Sequence, residues 1–201
     1  MTHHMAIKKR GSTQVSAFVT LFLRVNDSKK LLRTGWVREG IEKPESVAEH
    51  LFSLSFLTMQ LSPILAERLG HTLNTHKLLK MAMLHDLAEI EVGDIVTSRG
   101  SVTNSKKQAQ KRTLEKKGIK KLFSAVDPSN LTSELFSEYI EHETVEAKLL
   151  GQLDKLDMAL QALSFELDQK KNLSEFFEHA KANITDEFLL EVLQEIVDRR
   201  R

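Results

Sequence analysis

The sequence has no cysteine, and only 8 of its 201 residues are glycine and 3 are proline. Without cysteine the chain forms no disulfide, has no cysteine nucleophile and offers no thiolate to a metal ion. Any metal site must therefore be built from nitrogen and oxygen ligands. Glycine and proline are the residues that most disfavour a helix interior, so their scarcity favours long helices joined by short connections.

A strong charge of one sign and a long apolar segment are also lacking. Lysine and arginine number 29 against 28 acidic residues, and this net charge of +1 argues against a surface for binding nucleic-acid polymers. No apolar run approaches the roughly 20 residues that span a bilayer, and the N-terminus lacks the apolar core of a secretion signal. We therefore expect a cytoplasmic protein with no membrane partner. Its length and 41% hydrophobic content suit a single domain over residues 1–201.

Hydrophobic residues recur with helical spacing, and no convincing alternating strand pattern is present. The sequence predicts an all-α fold with helices at about 14–31, 47–69, 75–90, 105–123, 131–169 and 185–199. The stretch 131–169 is long for one helix, and we expect a break near Glu143 or Thr144. Residues 93–106 are rich in glycine, serine and threonine, which predicts a loop that could cover a site.

One histidine lies on the apolar face of a helix with a well-marked start. Ser46 and Glu49 have the spacing of a capping box, in which each side chain binds a backbone N–H at the helix N-terminus. His50 follows Val47 by three residues and precedes Leu54 by four, so it lies within the apolar stripe. The pattern therefore predicts that His50 points towards the core.

A second predicted helix also has a histidine on its apolar face. The apolar face of 75–90 leads to His85, with Asp86 beside it and Glu89 one turn later. If this helix is continuous, its edge presents two metal-binding atoms and a further carboxylate. Such an arrangement is typical of a site that holds a metal ion and a water molecule.

An acidic residue, Asp154, interrupts the apolar face of the long predicted helix over 131–169. Burying an uncompensated carboxylate is costly, so an acid in this position needs a cationic partner or a metal ion. With His50, His85 and Asp86 it would complete a set of two imidazoles and two carboxylates. That set suits a divalent ion such as Mn, Co, Fe, Ni, Zn or Mg.

Plainer interpretations exist for each residue of this set. A single histidine on an apolar face is more often a hydrogen-bonded core residue than a ligand, and Asp154 could pair with Lys155. The combination is more informative, because all four residues occupy positions where hydrophobic residues are expected. Four further histidines lack this context and are predicted to lie on the surface: His71, His76, His142 and His179.

Four segments around these residues resemble the 5'-deoxynucleotidase branch of the HD superfamily of phosphohydrolases. They are RTGW at 33–36, PESVAEH at 44–50, HDLAEIEVGDI at 85–95 and EAKLLGQLDKLDM at 146–158. The resemblance extends over about 14–169. It implies an HD-domain helical bundle, a homodimer, a deoxyribonucleoside 5'-monophosphate as substrate, and a metal ion bound by His50, His85, Asp86 and Asp154.

The resemblance also implies roles for residues near the metal ligands. Glu89 would orient or deprotonate the attacking water, although it could instead be a surface acid paired with a lysine. Arg33 would contact the phosphate. Trp36 would pack against base or sugar, with a place in the core or a dimer interface equally open. Asp94 would approach the sugar or, alternatively, cap a turn.

Two other functions remain open at this point. The metal-ligand set is shared with HD enzymes that act on cyclic nucleotides, nucleoside triphosphates or guanosine polyphosphates. A protein that binds nucleotides or acts as a scaffold without catalysis could also use the HD fold. A substrate panel distinguishes the first alternative, and ligand binding without turnover would support the second.

Overall fold

The structure, a computed structural model, describes residues 2–70, 73–96, 98–99, 102–103 and 105–200. Within them the chain forms ten α-helices, a 3-10 helix at Asn26–Lys29 and two short strands. The helices are α1 (Thr2–Val25), α2 (Thr34–Arg38), α3 (Val47–Leu69), α4 (Thr75–Leu84), α5 (Glu89–Val92), α6 (Ser105–Phe123), α7 (Leu131–Glu141), α8 (Val145–Gln169), α9 (Ser174–Asn183) and α10 (Glu187–Asp198). The strands are β1 (Ser98–Arg99) and β2 (Val102–Thr103), which pair antiparallel. The predicted all-α fold class is confirmed.

Local sequence signals account for the ends of several helices. At the start of α3, Ser46 accepts from the Glu49 N–H while the Glu49 carboxylate accepts from the Ser46 N–H, which is the predicted capping box. Gly70 ends α3 in a left-handed conformation with φ of 59°. Asp186 caps α10 by accepting from the Leu189 N–H at 3.0 Å. The first helix begins earlier than the predicted residue 14, and 26–29 continue it as a 3-10 helix.

The predicted break in 131–169 is confirmed. Helix α7 ends at Glu141, and His142 takes a left-handed conformation with φ of 53°. Helix α8 then begins after Thr144, whose hydroxyl accepts from the Ala147 N–H at 3.3 Å. The threonine cap restarts the helix in a new direction, so α7 and α8 pack against each other.

The prediction of one continuous helix over 75–90 is wrong. Helix α4 ends at Leu84, residues 85–88 form turns, and α5 starts at Glu89. His85 Nδ1 lies 2.9 Å from the Ala82 carbonyl oxygen. In a continuing α-helix that oxygen would accept from the Asp86 N–H instead. The side-chain bond therefore competes with the helix at the point where it ends.

The sequence also failed to predict two helices and a strand pair. Helices α2 and α9 were both missed, and β1 and β2 lie within the predicted loop 93–106. The side chains of 97–104 lie outside the described residues. Lys106 and Lys107 are exposed at the start of α6.

Helix α8 lies at the centre of the fold and contacts α3, α4, α7, α9 and α10. Its buried face includes Ala147, Leu150 and Leu153, with 0% exposure each, and the same face carries Asp154. The apolar helix face predicted around Asp154 is thus buried. Among the described residues, no helix is both long enough and apolar enough to cross a bilayer.

Candidate active site

His50 from α3 and His85 from the end of α4 meet in the interior. Their Nε2 atoms lie 3.1 Å apart, and the side chain of each is only 1% exposed. The apolar residues that flank His50 on α3 bury it, as predicted, and the turn after Leu84 directs His85 towards it. Two residues separated by 35 positions in the chain therefore face the same point.

Two carboxylates surround the pair of histidines. Asp86 Oδ2 lies 3.2 Å from His85 Nε2 and 3.6 Å from His50 Nε2. Asp154 Oδ1, from the centre of α8, lies 3.2 Å from His50 Nε2 and 3.9 Å from His85 Nε2. The four residues predicted from the sequence thus come together, and ligand atoms of His50, His85 and Asp86 all lie within 4.8 Å of one another.

The hydrogen bonds of the two rings show that this donor set fits a cation. His50 Nδ1 lies 2.9 Å from Asp157 Oδ2, and His85 Nδ1 lies 2.9 Å from the Ala82 oxygen. Both oxygens are acceptors, so in a neutral ring each Nδ1 carries the proton and Nε2 keeps its lone pair. When both rings are neutral, two Nε2 lone pairs face each other at 3.1 Å between two carboxylates, and a positive charge between them would stabilise this arrangement.

The electrostatics of the residues point the same way. Burial and Arg33 lower the pKa of His50, but hydrogen bonds to Asp154 and Asp157 outweigh them and raise it to about 10. Burial raises the pKa of Asp86, yet His85 and Arg33 hold it well below its usual range. For Asp154, burial is likewise outweighed by Lys155 and His50, which hold its pKa well below the usual range. The surroundings therefore favour carboxylates together with positive charge.

Nearby basic side chains balance the two acids. Arg33 donates from Nη1 to Asp86 Oδ2, and Lys155 Nζ donates to Asp154 Oδ2 at 2.5 Å. Asp154 therefore does pair with Lys155, as the plainer interpretation has it, but only through Oδ2. Its other oxygen faces the histidines, so pairing with lysine and facing the site are compatible.

Glu89 lies at the start of α5 and is 1% exposed, so it is not a surface acid. Lys111 from α6 donates to its Oε1 at 2.8 Å, whereas Oε2 is buried and has no hydrogen-bond partner among the described residues. Burial, followed by repulsion from Asp86, raises the pKa of Glu89 well above its usual range, although Lys111 acts in the opposite direction. An unpaired buried carboxylate oxygen is costly unless another molecule satisfies it.

The three predicted substrate-binding residues surround the same opening but differ in their contacts. Trp36 is 2% exposed, stacks on Phe176 at 4.3 Å between ring centroids, and donates from Nε1 to Glu45 at 2.9 Å. Asp94 accepts from the Thr34 N–H at 2.5 Å, so it caps the start of α2. In the structure Trp36 therefore makes contacts in the core, and Asp94 caps a helix. Both residues also line the opening.

A cavity of about 600 Å³ opens onto this site. Its lining includes Arg33, Trp36, Asp86, Asp94 and Asp154. His142 and His179, predicted as surface residues, also line it, although His142 is exposed and His179 is half-buried. His76 is exposed, and His71 lies outside the described residues. The cavity is large enough for a small phosphorylated molecule.

Sequence reasoning missed Asp157 and Ser53. Asp157 is 1% exposed, bonds to His50, and accepts from the Ser53 hydroxyl at 2.5 Å. Asp157 follows Leu153 by four residues and Leu150 by seven, the same apolar-face anomaly that singled out Asp154. Applying that signal to every acid of α8 would have found it.

Comparison with known proteins decides the family. The family profile described as "HD domain" matches residues 25–196. The chain belongs to the HD-domain family. The matched range contains all four residues predicted as metal ligands: His50, His85, Asp86 and Asp154.

Several relatives of this HD domain are named 5'-deoxynucleotidase. The 5'-deoxynucleotidase HDDC2 of Mus musculus is 31% identical over 202 residues, which cover 98% of this chain and 94% of the mouse protein. The 5'-deoxynucleotidase hdd1 of Schizosaccharomyces pombe is 35% identical over 152 residues, which cover 72% of this chain and 71% of that protein. The resemblance to the 5'-deoxynucleotidase branch is confirmed.

Solved structures support the same fold. A crystal structure of a protein from Pyrococcus horikoshii OT3 has 34% identity to this HD domain and a TM-score of 0.72, covering 90% of this chain and 99% of that one. A predicted metal-dependent phosphohydrolase from Magnetospirillum magnetotacticum MS-1 has a TM-score of 0.65 at 20% identity, which bears on the fold alone.

Proposed function

We propose that this HD domain is a metal-dependent 5'-deoxynucleotidase that hydrolyses deoxyribonucleoside 5'-monophosphates to a deoxynucleoside and phosphate. The observation that carries the proposal is the convergence of two Nε2 atoms and two carboxylates at a cavity, next to a buried Glu89. Relatives named 5'-deoxynucleotidase that align over most of the chain support the substrate class.

In this proposal His50, His85, Asp86 and Asp154 hold one divalent ion, drawn from Mn, Co, Fe, Ni, Zn or Mg. When bound, such an ion lowers the pKa of a water molecule and neutralises phosphate charge. The nucleophilic water would form a bond to phosphorus as the bond between phosphorus and the 5' oxygen breaks, and the 5' oxygen would gain a proton to leave as the hydroxyl of the deoxynucleoside. Negative charge is spread over the phosphate oxygens in this step, so each oxygen needs a nearby cation or hydrogen-bond donor.

Glu89 is proposed to accept a proton from the nucleophilic water or to orient it. Its Oε2, which has no hydrogen-bond partner among the residues that the structure describes, supports this role, since Lys111 occupies only Oε1. A general base must be ionised, and positive charge near Asp86 opposes the repulsion that raises the pKa of Glu89. Arg33, which already bonds to Asp86 at the cavity, is proposed to contact the phosphate through its remaining donors.

The proposal predicts that deoxyribonucleotides are hydrolysed with a higher kcat/KM than matched ribonucleotides, with little preference among bases. Asp94 and Trp36 are proposed to restrict the space around the sugar C2', where an added hydroxyl would be crowded or poorly solvated. Discrimination by packing is modest, on the order of 10–200-fold. The measurement is phosphate release by metal-reconstituted protein from paired deoxy and ribo monophosphates.

Asp94→Ala tests the residue assigned to this preference. Because Asp94 also caps α2, the matched control is Thr34→Val, which removes the hydroxyl bond to the Asp94 carbonyl but keeps the carboxylate. We expect the deoxy preference to fall in Asp94→Ala and to persist in Thr34→Val. Equal kcat/KM values in the wild type would refute the deoxynucleotidase assignment, and an unchanged preference in Asp94→Ala would exclude Asp94 as its cause.

We further propose that the chain acts in the cytoplasm as a homodimer, with residues 1–201 forming one HD domain. Exposed apolar residues on α3 support a helical interface between two copies, because Phe52 is 75% exposed and Phe56 is 54% exposed. Light scattering at micromolar concentration is expected to give twice the chain mass, and Phe56→Glu is expected to shift the protein towards monomer. A wild-type monomer at that concentration would contradict the proposal.

A further inference from the structure

The ring of His50 is bound on both of its nitrogen atoms. Nε2 faces His85 and Asp154, whereas Nδ1 lies 2.9 Å from Asp157 Oδ2. Asp157 is fully enclosed, and its Oδ1 accepts from the Ser53 hydroxyl at 2.5 Å. Both oxygens of Asp157 are thus engaged with the protein, one of them with His50.

We propose that Asp157 is a positioning residue that fixes the tautomer and orientation of His50, so that its Nε2 lone pair is presented to the metal ion. This inference rests on the metal site proposed above. A carboxylate that accepts from Nδ1–H keeps the proton on that nitrogen, holds the ring in plane with its acceptor, and increases the basicity of Nε2. Asp157 acts on the ion through His50.

A direct role for Asp157 as a ligand fits the contacts less well. Ligand atoms of Glu45, His50 and Asp157 lie within 4.8 Å of one another, so the three could in principle form a second ion site. However, Glu45 Oε2 already accepts from Trp36 Nε1 at 2.9 Å. A neutral imidazole has a single lone pair, so His50 cannot supply ions on both sides of its ring.

The two histidines are held by different kinds of acceptor. His85 Nδ1 is bonded to a backbone carbonyl, that of Ala82, which no side-chain substitution removes. His50 depends on a side chain that comes from another helix, 107 residues away in sequence. Substitution of Asp157 therefore perturbs the orientation of one ligand and leaves the other in place.

The test is the affinity of the metal-free protein for Co²⁺, measured by competition with a chromophoric chelator. Asp157→Leu removes the acceptor, and we expect Co²⁺ to bind on the order of 10–100-fold more weakly. Asp157→Asn keeps a neutral acceptor, so it should restore part of that loss and alter the visible spectrum of bound Co²⁺. Asp127→Asn is the matched control, because it makes the same chemical change at an acid that caps the start of α7. Its Co²⁺ affinity should equal that of the wild type.

The outcomes separate this inference from the proposed function. A wild-type protein that binds no Co²⁺ refutes the metal site itself. If the wild type binds Co²⁺ and both folded Asp157 variants bind it equally well with an unchanged spectrum, the metal site stands and the positioning role is overturned. If circular dichroism shows that Asp157→Leu is unfolded, Asp157→Asn decides: weaker binding with an altered spectrum supports the role, and wild-type binding overturns it.

Discussion

Glu89→Gln is expected to lower kcat by about 10²–10⁴-fold while the protein keeps its metal ion. Glutamine has nearly the same shape as glutamate but cannot accept a proton from water at neutral pH. Glu89 is buried, and Lys111 binds its Oε1, whereas its Oε2 has no hydrogen-bond partner in the described part of the chain. The substitution therefore removes a carboxylate with one oxygen left for the water. Steady-state phosphate release and metal content are to be measured on the same preparation.

Glu115→Gln is the matched control for this substitution. Both acids are buried and both contact Lys111, at 2.8 Å for Glu89 and 3.3 Å for Glu115. If the effect of Glu89→Gln came from releasing Lys111, the two variants would lose similar activity. We expect Glu115→Gln to retain most of it. Wild-type turnover in a metal-replete Glu89→Gln protein would assign Glu89 a structural role.

Asp154→Ala is expected to abolish stable metal binding, and with it hydrolysis. Asp154 is the only predicted ligand on α8, and its Oδ1 lies 3.2 Å from His50 Nε2. Losing an outer hydrogen-bond partner of a ligand typically weakens metal binding by about 10–100-fold. Losing Asp154, a direct ligand in this account, should weaken it by more. Elemental analysis after dialysis, together with titration of the metal-free protein, measures the change.

Lys155→Met separates two explanations of that result. Lys155 bonds to Asp154 Oδ2 at 2.5 Å, so a purely structural ion pair would be broken equally well from either side. If Asp154 serves the metal ion, Lys155→Met keeps bound metal and Asp154→Ala loses it. Loss of metal in both variants, or in neither, would contradict the assignment of Asp154 as a ligand.

Where hydrophobic periodicity and helix signals were strong, the sequence was sufficient. The capping residues Ser46 and Glu49 and the apolar stripe behind them predicted α3 and the inward direction of His50. Polar residues on apolar helix faces then identified four side chains that the structure brings together from α3, α8 and the end of α4. Burial is costly for such residues unless they find partners, and this is why the anomaly was informative.

The parts that were missed depend on contacts that a local pattern does not contain. Helix α4 ends where the His85 side chain forms a hydrogen bond with the Ala82 carbonyl, and hydrophobic periodicity does not predict such a bond. Helix α9 has ten residues with few apolar positions, and its Phe176 is held by stacking on Trp36. The pairing of Asp157 with His50 joins two helices that are far apart in sequence. In each case a specific side-chain contact, which hydrophobic periodicity does not encode, decides the local structure or the pairing.

Anomalous diffraction from a crystal of the Mn²⁺-loaded protein tests the central claim most directly. The account predicts one strong anomalous peak between His50 Nε2 and His85 Nε2, with the carboxylates of Asp86 and Asp154 as further ligands. The absence of a peak there after metal loading, with Asp86 and Asp154 still bonded only to Arg33, Lys155 and the two histidines, would contradict it.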